Sequence, residues 1–157
     1  MTFVRKATKE DAPEIIRLLR QISTLHSVGR PEIFKPDSTK YTEQELTEQI
    51  ENKKLIIFVA EEEAGTLLGY AICILRDYQN NNVIHPHKVL YLDDLCVDEE
   101  KRGKKVGQLL MDVVEAEAAA LGCMFVELNV WVFNKRAIGF YERNGFSPRS
   151  IRMEKKL

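Results

Sequence analysis

Nowhere does the chain of 157 residues carry the run of about 20 apolar residues that spans a bilayer. Its opening Met-Thr-Phe-Val-Arg-Lys lacks the apolar core of a signal peptide. Those two absences predict a cytoplasmic protein with no membrane partner. Cys73, Cys96 and Cys123 are the only cysteines and none belongs to a Cys-x-x-Cys pair, which argues against a disulfide framework and a cysteine-based zinc site. Neither sign of charge dominates: 23 basic and 24 acidic residues leave a net charge of -1, so no chain-wide field draws the protein to nucleic acid. No Pro/Gly/Ser linker, internal repeat or low-complexity tract divides the sequence, which predicts a single domain over residues 1–157.

What is present suffices for a core, with 45% hydrophobic and 30% charged residues. Residues 2–7 read as a first strand, after which Thr8 can cap a helix with Ile15, Leu18, Leu19 and Ile22 on one face. Gly29, Pro31 and Pro36 break up residues 23–41, a predicted substrate loop, before Thr42 opens a second helix carrying Leu46 and Ile50. Residues 54–61 and 67–75 read as a hairpin; a polar stretch at 77–87 then leads to a fourth strand at 89–97. Residues 104–121 make the clearest helix, with Val106, Leu109, Leu110, Val113 and Val114 on one stripe and Gly122 placed to end it. A strand at 124–130, a helix from Asn134 to Arg143 and a closing strand at 150–155 complete the order β-α-α-β-β-β-α-β-α-β.

The turn Arg102-Gly103-Lys104-Lys105-Val106-Gly107-Gln108 leads from the fourth strand into that clearest helix. Free N–H groups in a helix's first turn, its dipole and glycines that let an oxygen approach the backbone together make an anion site. A basic turn taken alone reads more readily as a solvated loop or a nucleic-acid patch. Here the cations oppose the dipole at a cost of about a few tenths of a kcal/mol each, a placement that makes sense with an anion bound. Neither the Gly-x-x-x-x-Gly-Lys-Ser/Thr phosphate loop nor the Gly-x-Gly-x-x-Gly dinucleotide pattern occurs. His85-Pro86-His87 has no acidic or cysteine partner at ligand spacing, so no metal is expected.

These residues resemble the coenzyme A pyrophosphate loop of the GNAT superfamily of N-acetyltransferases, Gln/Arg-x-x-Gly-x-Gly/Ala, with Lys105 standing where the first glycine is usual. The second block, Asn134-Lys-Arg-Ala-Ile-Gly-Phe-Tyr-Glu-Arg-Asn-Gly-Phe146, is the more specific, and the likeness spans nearly the whole chain. It implies an α/β (α+β) fold whose mixed, mainly antiparallel sheet of six to seven strands is flanked by about four helices. It also implies acetyl-coenzyme A as co-substrate and a homodimer. By the same likeness Arg102, Gly103, Lys104, Lys105, Val106, Gly107 and Gln108 hold the coenzyme, with Asn134, Arg136 and Ala137 beside it. Strand N–H groups of Leu95, Cys96 and Val97 would stabilise developing negative charge, and Tyr141 would face the thioester sulfur. Tyr91-Leu92-Asp93-Asp94-Leu95 resembles the diamine acetyltransferase branch, whose acidic pair sits beside the acceptor amine.

Acetyl transfer to nitrogen needs a neutral amine, yet a lysine-like amine of pKa ~10.4 is mostly protonated at pH 7. A nearby carboxylate can remove the proton and attract the cation. Strand neighbours point to opposite faces, so only one of Asp93 and Asp94 should face the acceptor, and the resemblance favours Asp93. His26, Glu127 and Asn129 complete the expected acceptor side, and Tyr141 is expected to protonate the leaving thiolate. The expected activity is acetylation of a small, cationic primary amine by direct attack. A non-catalytic coenzyme A sensor and a protein or peptide N-acetyltransferase remain as alternatives.

Overall fold

A computed structural model describes residues 1–63 and 65–157. Five strands form one sheet: β1 (Thr2–Lys6), β2 (Ile56–Glu62), β3 (Leu67–Tyr78), β4 (His87–Val97) and β5 (Phe125–Leu128). They lie in sequence order, antiparallel throughout except that β4 and β5 run parallel. Helices α1 (Ala12–Gly29) and α2 (Glu43–Glu51) cover one face. The other carries α3 (Val106–Ala120) and α4 (Lys135–Arg143). The first core packs Ile15, Leu18 and Leu46 against Val59, Tyr70 and Ile72, and the second packs Leu110, Met111 and Val114 against Phe58, Ala71 and Leu90. Fully burying each large aliphatic side chain contributes about 1.5–3 kcal/mol, so both faces hold the sheet firmly.

Among the described residues the sheet has five strands rather than six to seven, because residues 147–157 form no regular secondary structure. The expected closing strand at 150–155 fails for a physical reason: Ile151 and Met153 remain 85% and 87% exposed. They gain no apolar burial to offset the entropy of ordering a strand. Ion pairs hold this tail instead, Arg149 to Glu127 and Glu154 to Arg30. β5 is also shorter than expected, at four residues, whereas β3 and β4 are longer, paired with each other out to Tyr78 and His87. Those two rings stack at 5.1 Å, which extends the ladder into the stretch expected to be polar loop.

α1 likewise continues through Gly29, so the irregular connection covers residues 30–42 rather than 23–41. The hydroxyls in the last turns of α1 bond back within the helix, Thr24 to the Arg20 carbonyl and Ser27 to the Thr24 carbonyl, both at 3.0 Å. Thr8 caps a single 3-10 turn, Lys9–Asp11, that feeds α1. Thr42 caps α2 as expected, its side chain accepting from the Glu45 N–H. At Gly69 a Cβ would stand 2.5 Å from the Cys96 carbonyl oxygen, so only glycine lets β3 lie this close to β4 near the site.

Candidate active site

The site begins where two strands part. β5 pairs with β4 only from Val89↔Phe125 to Leu92↔Leu128, while β4 runs on to Val97. A register shift on the opposite edge falls at the same place: Leu92 pairs with Cys73 and Asp94 with Ile72, leaving Asp93 as an extra residue. Such a bulge bends the strand and interrupts its alternation of faces. The expectation that only one carboxylate could face the acceptor is therefore corrected, because Asp93 and Asp94 line the same cleft of about 250 Å³. Asn129, Trp131, Asn134 and Tyr141 form its second side, and Ile22, His26 and Lys40 its third.

The two carboxylates differ in chemistry. Asp94 sits at the back of the cleft and accepts a hydrogen bond from the Tyr70 hydroxyl at 2.9 Å. Burial pushes its carboxyl up to about 6, against the opposing pull of that bond and of Lys40, with the Asp93 charge adding to the rise. Asp93 instead forms an ion pair with Lys40. Burial alone would lower the Lys40 amine, but Asp93 outweighs it and holds the ammonium above its ordinary range.

Tyr141 packs edge-on against Phe140 and Phe146, with centroids 5.5 Å and 5.7 Å away. Burial, with a smaller push from Asp94, raises its phenol well above the ordinary value, so it stays protonated as a donor. His26 lies against Phe34 and Phe133, and burial lowers its pKa, which favours the neutral imidazole. Phe34, Trp131 and Phe133 continue this aromatic wall, with the Arg30 guanidinium 5.4 Å from the Trp131 ring.

The basic turn lies at the N-terminus of α3. Lys105 is its N-cap in the left-handed region, φ 58 and ψ 19, and Gly103 has φ +92. The departure from the family pattern thus falls where glycine is favoured, and lysine there costs about 1 kcal/mol. The first helical bond of α3 outside its regular ladder runs from the Leu109 N–H to the Lys105 carbonyl, which leaves the N–H groups of Val106, Gly107 and Gln108 without helical acceptors. Gly107 packs under Phe140, where a Cβ would make ordinary contact at 3.5 Å. Lys104 pairs with Glu62 at 2.6 Å and Arg102 with Glu99 at 3.7 Å, whereas Lys105 pairs with no described residue. Asn134 caps α4 by accepting from the Ala137 N–H at 3.2 Å, and Arg136 is exposed on the same turn.

The structure gathers Asp93, Asp94, Leu95, His26, Asn129, Asn134, Ala137 and Tyr141 around one cleft. It does not bring Glu127 to the cleft lining; that carboxylate binds Arg149. Cys96 faces the α1 layer, its thiol 3.6 Å from the Leu18 carbonyl. The Gln108 side chain is engaged by Asp112 and Asn144, leaving only its backbone toward the loop. Sequence reasoning missed Lys40, Trp131 and Tyr70. A tyrosine inside an apolar strand run, which must find a partner for its hydroxyl, was the signal for Tyr70; Lys40 gave none.

A model of the Acetyltransferase (GNAT) family matches residues 19–146. A Bacillus subtilis protein described as an uncharacterized N-acetyltransferase, YdgE, is 31% identical over 74 residues, and that match spans 47% of each chain, about half the relative's length. The thialysine N-epsilon-acetyltransferase of Sus scrofa is 25% identical over 154 residues, covering 91% of this chain and 82% of the relative. Among solved structures, a mutant of the BH1408 protein of Bacillus halodurans superposes with a TM-score of 0.93 at 28% identity, over 99% of both chains.

Proposed function

The chain belongs to the GNAT acetyltransferase family and is an enzyme of the N-acyltransferase class; from that premise we propose that it moves acetyl from acetyl-coenzyme A to a small cationic amine. The observation that carries this reading is the parting of β4 and β5, which puts a raised carboxyl and a raised phenol on one cleft. The fit to the coenzyme rests on the first turn of α3, where left-handed Lys105 and Gly103 precede N–H groups without helical acceptors, beside an ammonium that pairs with no described residue. Acetyl-coenzyme A supplies the activated acetyl group. Arg102, Lys104, Lys105 and the backbone of Val106, Gly107 and Gln108 hold its diphosphate, and Asn134, Arg136 and Ala137 stand beside it.

Asp94, rather than Asp93, is the base in this reading. With its carboxyl near 6 it is ionised at neutral pH and still basic enough to draw a proton from the acceptor ammonium, directly or through water. Asp93, which lines the same cleft, attracts the cation. Tyr141 donates to the sulfur that departs, and N–H groups on the unpartnered part of β4 near Leu95 can face negative charge developing on the acyl oxygen. Asp93, Asp94 and the aromatic wall favour a cation with an apolar body, in keeping with a relative named for thialysine.

A homodimer is part of the proposal. β5 is an edge strand with Phe125 52% exposed, and the tail tied to it by the Arg149–Glu127 ion pair shows Ile151 and Met153 to solvent, so a second copy would cover both. Sedimentation of a monomer at micromolar concentration would overturn that part. Three free cysteines suit the cytoplasm. The activity itself is tested by thiol release from acetyl-coenzyme A across a panel of amines, with calorimetry of coenzyme binding alongside. Release with cationic amines supports the reading. Binding without release to any amine would instead favour a coenzyme sensor.

A further inference from the structure

The connection between α1 and α2 sends a primary amine of the chain itself into the acceptor cleft. Lys40 Nζ is ion-paired with Asp93 and lines the cavity that Asp94 and Tyr141 share. Its side chain is 48% exposed while that of Asp93 is only 12% exposed, so the lysine reaches in from solvent over a recessed carboxylate. Such a half-exposed pair is worth about 1 kcal/mol or less, which leaves the amine free to exchange between Asp93 and water. Around Lys40 stand the three groups an external acceptor needs: a carboxylate that draws an ammonium, a second that takes a proton, and a phenol that gives one. An amine on the same chain also arrives at high effective concentration.

We propose that Lys40 is an acetylation site that the chain modifies intramolecularly, and that its acetylation uncovers Asp93 for external amines. The proposal rests on the reading of this cleft as the place of acetyl transfer. Asp94 takes a proton from the Lys40 ammonium and passes it to water. The neutral Nζ then attacks the thioester carbonyl, so that a C–N bond forms and the C–S bond breaks. The attacking nitrogen sheds its second proton, which restores the phenol of Tyr141 after Tyr141 has protonated the departing thiolate. The balance is one acetyl-lysine, one free thiol and one proton released. The acetylated side chain carries no charge, so the ion pair with Asp93 is lost.

The test incubates the full chain with acetyl-coenzyme A and no amine, and maps acetyl groups by peptide mass spectrometry. One acetyl group at Lys40 is expected, gained with a rate constant independent of protein concentration. Asp94→Asn and Tyr141→Phe should slow it by about tenfold or more, while chemical acetylation of exposed Lys35 and Lys54 stays unchanged. A coenzyme-free arm measures calorimetric binding of propylamine, which Lys40→Met should tighten by about fivefold. An unmodified Lys40 in a preparation that releases thiol with external amines overturns the proposal and spares the function. Absence of both overturns both. A rate that grows with protein concentration, or equal amine affinity in Lys40→Met and the parent, also contradicts it.

Discussion

The two halves of β4 make opposite use of one strand. Residues 89–92 have neighbours on both edges and bury Val89, Leu90 and Leu92 at 0%, 0% and 2% exposure. From Asp93 onward the strand keeps β3 but has no β5 partner, and carries the bulge, the two carboxylates and the cleft. The first half is scaffold and the second is the proposed site. Burial without a partner strand is what lifts Asp94, because a carboxyl recessed in the gap loses water without gaining a full set of donors.

The sharpest way to separate the halves is to damage each in turn. Leu90→Ala removes a fully buried side chain between α3 and the sheet and should cost about 2–5 kcal/mol in denaturant unfolding. Asp94→Asn should lower kcat by about 100-fold, seen in thiol release, yet raise stability at pH 7. The sign follows from the raised carboxyl: it titrates near 6 when folded against 3.8 unperturbed. Folding therefore favours the protonated form, and that stability is present below the unfolded value and lost as pH rises through about 6. At neutral pH the asparagine should gain about 1–2 kcal/mol. A variant that loses both stability and turnover would mean the second half is scaffold too.

Two smaller effects extend the contrast to the helices. Tyr141→Phe should leave coenzyme affinity nearly unchanged by calorimetry and reduce turnover by about tenfold; unchanged turnover would leave Tyr141 as packing alone. Lys105→Gly relieves a left-handed lysine and should raise the melting free energy by about 1 kcal/mol. Its coenzyme affinity should fall at low salt, since a cation with no ion-pair partner among the described residues is lost from the turn. No change in either quantity would remove both the strain and the charge from the account.

What could be read from sequence divides along the same line. The stripe Val106, Leu110, Val114 announced α3, and Thr42 and Asn134 announced their helices, because caps and periodicity act within a few residues. The bulge at Asp93 was illegible, since it arises from pairing with Cys73 and Ile72 some twenty residues away. Strict alternation therefore assigned the two carboxylates to opposite faces. The tail failed for a related reason: residues 150–155 read as a closing strand, but strand formation depends on an available edge rather than on local pattern. Asp93, Asp94, Asn134 and Tyr141 were named from motif likeness, whereas Lys40 came into view only when the loop was folded across the cleft.

The pH dependence of kcat/KM tests the central claim most directly, measured for the parent and Asp94→Asn with one amine whose own titration is known. If Asp94 at the parting of the strands is the base, the parent shows an acidic limb near pH 6 that vanishes in the variant. The same limb in both proteins would contradict the account.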